Sequence, residues 1–178
     1  MHDPSPYGPK RARTTIAALW IRADTGRTKG EQLSEEQPVP AKKPRVLLAA
    51  RPVAREPFRQ ALGSDVEVVE AETLEQAVAE LSADEPPDLV CCTVYFDDSR
   101  MFDLVQYVRE KFAHIPIVCA RALPKDLAKI SMQALKIASD AMGAAAFIDL
   151  PTLSEQYGDA AARAQLRDLL LGQLARSA

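Results

Sequence analysis

The pattern of apolar and polar positions changes at residue 45. From there on, short apolar runs alternate with stretches of helical spacing. Arg45-Val46-Leu47-Leu48-Ala49-Ala50 is a run of β-formers without alternation, which predicts a strand buried on both faces. Val53, Phe58 and Leu62 then recur at helical spacing, with Arg55, Glu56 and Arg59 as the polar positions, so Pro52 to Leu62 is predicted to be a helix. Gly63-Ser64-Asp65 stops it. Val66 to Glu70 alternates only in part, which predicts a second strand near a sheet edge. Thr73 and Gln76 stand at capping-box spacing ahead of a helix that carries Ala77, Val78 and Leu81 and ends at Asp84-Glu85-Pro86-Pro87. Asp88 to Tyr95 is continuously apolar and suits a central strand.

A third helix follows, with Met101, Phe102, Leu104, Val105 and Val108 on its buried side and Asp98 or Ser99 as its N-cap. Ile115 to Ala120 is a fourth strand. Pro124 fits the first turn of a long helix over about 125–142, and Gly143 fits its left-handed C-terminal position. That helix holds Ile130, Met132, Leu135, Ile137 and Met142, more apolar surface than one stripe can turn to a sheet. Ala144 to Ile148 is a short fifth strand, and Leu166, Leu169, Leu170 and Leu174 mark a last helix over 159–176.

Strands that alternate with helices predict an α/β fold of doubly wound type. It has a five-stranded parallel sheet in order 2-1-3-4-5, with helices on both faces. Chemistry or ligands would then lie at the carboxyl ends of the first, third and fourth strands.

Residues 1–44 read differently. Prolines and polar residues dominate, so a largely disordered extension is expected, closed by the linker Glu35–Lys43. Its apolar island, Thr14 to Ile21, holds the only tryptophan. Ile16–Ile21 either packs on the folded domain, 45–178, or docks on a partner.

Charge divides the same way. Residues 1–44 hold eight Lys/Arg and five Asp/Glu (+3), and residues 45–178 hold fourteen and twenty (−6), which sum to the chain's −3. An acidic folded part argues against direct nucleic-acid binding. No apolar run is long enough to span a bilayer and no signal-peptide pattern opens the chain, so a cytoplasmic protein without membrane contact is expected. Cys91, Cys92 and Cys119 lie in apolar runs without zinc spacing and are expected to be buried free thiols. No glycine-rich phosphate loop occurs, and no cofactor or metal is expected.

Two segments carry a resemblance. Pro87-Asp88-Leu89-Val90, followed by a strand and a helix with Phe102 and Leu104, resembles the centre of response-regulator receiver (CheY-like) domains. Gly143-Ala144-Ala145-Ala146-Phe147-Ile148-Asp149-Leu150-Pro151 is similar to that family's Gly-Ala-x-x-(aromatic)-x-x-Lys-Pro segment. The likeness covers residues 45–151 and implies the flavodoxin-like, three-layer receiver fold.

It also implies a site, and every position of that site departs from the pattern. Ala50 and Arg51 stand where the family keeps magnesium-binding acids, and magnesium wants oxygen ligands. Thr93 stands for the phosphoacceptor aspartate, Arg121 for the threonine or serine after the fourth strand, and Leu150 for the lysine. Phe147 matches the switch aromatic, and Leu150-Pro151 matches a bond that is commonly cis in the family.

The resemblance implies a degenerate pseudo-receiver, a non-catalytic adaptor in bacterial two-component signalling or gene regulation. It would act through a protein partner or self-association on the fourth helix–fifth strand–fifth helix face. The alternative is a ligand- or metal-binding domain, or an enzyme, with a pocket rimmed by Asp97, Asp98, Arg51 and Arg121. Salt bridges from the two arginines, with Asp98 as a helix cap, would explain the acids without chemistry.

Overall fold

The computed structural model describes residues 42–124 and 129–177, all within one compact unit, Pro40–Ala178. The Ile16–Ile21 segment lies outside the described residues. Five strands, β1 (Arg45–Ala49), β2 (Glu67–Ala71), β3 (Leu89–Thr93), β4 (Ile117–Arg121) and β5 (Ala146–Asp149), form one sheet in order β2-β1-β3-β4-β5. All pairings are parallel, as the alternating pattern predicts. The helices are α1 (Glu56–Leu62), α2 (Leu74–Leu81), α3 (Met101–Lys111), α4 (Lys129–Ala141), α5 (Leu150–Tyr157) and α6 (Asp159–Ser177).

Strand side chains alternate between two apolar layers. Val46, Leu48, Cys91 and Val118 meet Phe58 and Leu62 of α1 and Leu166 and Leu170 of α6. Leu47, Ala49, Val90, Cys92 and Cys119 meet Leu81 of α2 and Met101, Leu104, Val105 and Val108 of α3. β3 is buried at every position, which explains why its sequence never alternates. Thr73 caps α2 through its predicted box with Gln76. Gly143, at φ 87°, turns the chain from α4 into β5 in a conformation that only glycine adopts without strain.

Four local expectations are corrected. Pro52 to Leu62 is not one helix. A 3-10 turn (Pro52–Ala54) precedes α1, and it leaves Val53 72% exposed and turns Arg55 inward to 8% exposure. The third helix is capped by neither Asp98 nor Ser99, because both have left-handed backbone and Arg100 occupies the N-cap position without a side-chain bond. The peptide before Pro151 is trans. Asp149 caps a helix that starts at Leu150, and Pro151 sits in its first turn, where a proline needs no N–H partner. That helix, α5, was not foreseen. It fills the connection between β5 and α6, and its first two residues, Leu150 and Pro151, are buried.

The inward turn of Arg55 builds a junction. Its Nε donates to the Ala50 carbonyl (3.1 Å), Nη1 to Glu70 (2.9 Å) and Nη2 to Glu72 (3.0 Å). One guanidinium therefore ties the end of β1 to β2 and to the loop beyond it. Arg59, half exposed, adds a second bond to Glu70 from the solvent side. Removing the buried partner of an ion pair leaves an uncompensated charge, whereas an exposed pair is worth little. Arg55→Ala is expected to cost about 3 kcal/mol and Arg59→Ala under about 1 kcal/mol, read as the difference in urea unfolding free energy.

Candidate functional site

The five positions singled out by the resemblance converge on the carboxyl ends of the strands. Ala50 and Arg51 follow β1, Thr93 ends β3, Arg121 ends β4, and Leu150 follows β5. Ala50 is fully buried, and its N–H donates to the Ala71 carbonyl (3.0 Å), so its backbone extends the ladder with β2. Thr93 is buried too, and its Oγ1 donates to the Ala49 carbonyl at 3.4 Å. Leu150 points into the apolar layer beneath α6 rather than across the site.

The charged groups here are paired with one another. Arg51 reaches over the strand ends to Asp98 (2.7 Å) in an exposed bridge. Arg121 does not reach Asp97 or Asp98, as one reading of the sequence expected. It pairs instead with Asp149, its register partner on β5, at 3.1 and 3.3 Å. Asp149 also accepts from the Thr152 hydroxyl and backbone, so one carboxylate anchors Arg121 and starts α5. Asp97 accepts from the Leu74 N–H at the start of α2 (2.9 Å) and from Arg100 (3.3 Å).

Beside Thr93, a cavity bounded by Arg51, Ala54, Thr93, Tyr95 and Leu123 measures about 10 Å³, room for about one water. Among the described residues, no group of three His, Cys, Asp or Glu side chains could hold a metal. A much larger cavity, about 630 Å³, lies at the opposite end of the sheet among Pro44, Pro87, Ile115, Leu171 and Leu174. It touches none of the five positions.

The loop after β3 holds Asp97, Asp98 and Ser99 at φ 41°, 50° and 79°. Three consecutive non-glycine residues in left-handed backbone are costly, and serine tolerates it less well than aspartate. The bonds from Asp97 to Leu74 and Arg100 hold the loop there. Phe147 is half-buried against the layer of α2 and α3.

The site residues that sequence reasoning missed are Asp149 and Arg55. Asp149 carried a signal, since an aspartate two residues before a proline reads as an N-cap with proline in the first turn. Arg55 carried none, because its spacing marks it as a solvent-facing helix position.

The three thiols are buried and free, as expected. Burial raises each above the usual thiol range, and Cys119 is pushed up to about 11, with the Ser139 hydroxyl bond pulling the other way. They therefore stay protonated and unreactive at neutral pH.

With this geometry in place, the fold can be compared with solved structures. A putative response regulator from Chloroflexus aurantiacus matches at TM-score 0.60 and 22% identity, covering 76% of this chain and 100% of that one. A response regulator from Thermotoga maritima matches at TM-score 0.57 and 20% identity, covering 75% and 99%. An orphan response regulator of H. pylori matches at 0.54 and 20%, covering 74% and 96%. At these identities the likeness establishes the fold, and the chain has the receiver fold. No protein-family model and no curated protein sequence matches it.

Two outcomes are expected from this geometry. Ser99→Gly relieves left-handed strain against a gain in unfolded-state entropy, for a net stabilisation of up to about 1 kcal/mol, whereas Asp97→Ala loses the contact with α2 and destabilises by about 1 kcal/mol. Urea midpoints of the two variants should move in opposite directions. The thiols set a pH dependence. Below the ordinary thiol value of 9.0 both folded and unfolded chains hold the Cys119 proton. Above it the unfolded chain releases the proton first, so stability should fall as pH rises from about 9 to about 11. Unfolding free energies at pH 8 and pH 10 measure this, and replacing Cys119 by Ala should reduce the slope.

Proposed function

We propose that this chain is a receiver-like regulatory module of bacterial signalling that is not phosphorylated on aspartate and acts by protein–protein contact. The observation that carries this reading is Thr93. It occupies the end of β3 as a buried hydroxyl bonded to the Ala49 carbonyl, where an aspartyl phosphate would need an exposed carboxylate. A further feature supports it. Arg51 puts a cation, already paired with Asp98, where a magnesium ion would need anionic oxygen.

The contact surface in this reading is the face formed by α4, β5 and α6, with Phe147 and the exposed Ile137 on it. No described helix is long and apolar enough to cross a membrane, and we place the protein in the cytoplasm as part of the same proposal. The rival, a ligand or metal pocket rimmed by Asp97 and Asp98, has weaker support because both carboxylates are engaged and Arg121 turns to Asp149.

A backbone amide NMR titration with Mg²⁺ and then beryllofluoride, a mimic of the acyl phosphate, tests the proposal. No shifts are expected at Ala50, Thr93 or Arg121. Localised, saturable shifts there would mean that Asp97 or Asp98 has rebuilt a phosphoryl or metal site, and the proposal would fail.

A further inference from the structure

The cavity of about 630 Å³ at the amino end of the sheet has a plain structural origin. A strand of five residues is about 17 Å long, and α6, at nineteen residues, is about 28 Å long. Arg167 fixes the middle of α6 by donating to the Ala61 and Leu62 carbonyls at the end of α1. The turns beyond it, with Leu171, Leu174 and Ala175, overhang the starts of the strands. Beneath the overhang lie Pro44 before β1, Pro87 before β3 and Ile115 before β4. Proline has no N–H, so polar recognition on this floor falls to side chains. The volume lies within the range of small-molecule sites, about 300–1,000 Å³.

Those side chains are mostly basic. Lys42, Lys43, Arg45 and His114 stand round the mouth, with Asp88 as the acid among them. Lys42 pairs with Glu85 at 3.0 Å, and Arg45 pairs with Glu67 (3.2 Å) and Glu80 (3.1 Å). The Asp88 carboxylate accepts from the Arg45 N–H at 2.7 Å. Lys43 differs from its neighbours. Its ammonium donates to the Ser64 carbonyl at 2.8 Å, a neutral partner, and among the described residues no carboxylate pairs with it. A folded part that is net acidic thus sets an uncompensated cation above an apolar floor.

We propose that this cavity binds a free amphipathic carboxylate, a medium-chain fatty acid, with its head group on Lys43 and its alkyl chain along Ile115, Leu171 and Leu174. One unpaired ammonium suits a monoanion, and an apolar floor without N–H donors suits an alkyl chain. The direction follows from α6, whose free carbonyls at Ser177 repel an anion. Lys43 is anchored at Ser64, next to the Asp65 that Arg167 holds at 2.6 Å. Arg167 stands ten residues before the end of α6 (167 to 177), about 15 Å from those carbonyls. The head group therefore sits away from the helix end and the chain runs toward it. Binding here is independent of the contact face and of phosphotransfer, because the cavity shares no residue with either.

Isothermal titration calorimetry of the full chain with dodecanoate, kept below its micellar concentration, tests the proposal. Saturable binding of one molecule per chain is expected, with amide NMR shifts at Ile115 and Leu174. Lys43→Glu should weaken binding by about tenfold or more, because it sets like charges together. Ala175→Trp, at an exposed position on the cavity wall, should fill the space and abolish binding. Dodecyltrimethylammonium, with the same chain and the opposite charge, should not bind. If circular dichroism shows that Ala175→Trp does not fold, Lys43→Glu and the NMR shifts decide the matter. A chain with no saturable dodecanoate binding overturns the proposal, as does binding that Lys43→Glu leaves unchanged or that the cationic probe matches. Capture of the chain by phosphatidylglycerol vesicles without binding of free dodecanoate also overturns it, in favour of a lipid surface.

Discussion

A parallel sheet covered on both faces has no free backbone except at its edges, and no approach to its interior except at its ends. That constraint organises this molecule. β1, β3 and β4 are apolar at nearly every position because helices cover both of their surfaces. Any function must then be carried by the loops at either end, by the helix faces, or by β2 and β5. The chain treats these places unequally. It closes the carboxyl end with ion pairs and a threonine, seals the β2 edge with charge, and leaves β5 beside exposed apolar side chains.

At the carboxyl end, each charge has a local purpose. Arg51 spans from β1 to the loop after β3, Arg121 spans from β4 to β5, and Asp97 joins the same loop to α2. A cluster of acids at this place would repel itself unless a cation joined it. Arginines permanently attached to the backbone remove that requirement. These pairs hold the loops, although the strained Asp97–Ser99 segment shows that holding them has a cost.

Much of the fold was legible because a buried parallel sheet writes a simple pattern. Arg45–Ala50 and Asp88–Tyr95 read as buried strands from their unbroken apolar character, and the Thr73–Gln76 spacing gave the α2 cap. Sequence reasoning failed where tertiary contacts overrule local spacing. Arg55 has the spacing of a surface residue, yet two glutamates and a carbonyl draw it inward. Asp149 decides both the partner of Arg121 and the start of α5, a contact across strands that linear spacing does not reveal. The five positions lie at the strand ends, which follow from the apolar runs. Which charges pair there was legible only for Arg51 and Asp98.

The apolar layers on the two sheet faces and the ionised residues at the carboxyl end are separate sets, so the packing of the sheet and the order of its loops rest on different residues. A loop pinned by Arg51–Asp98 and by Asp97–Leu74 has fewer states to be shifted between, and a ligand can act only on states it distinguishes. On the reading proposed above, a surface presented by such a chain is constant, and a partner would be governed by concentration and by competition for the face.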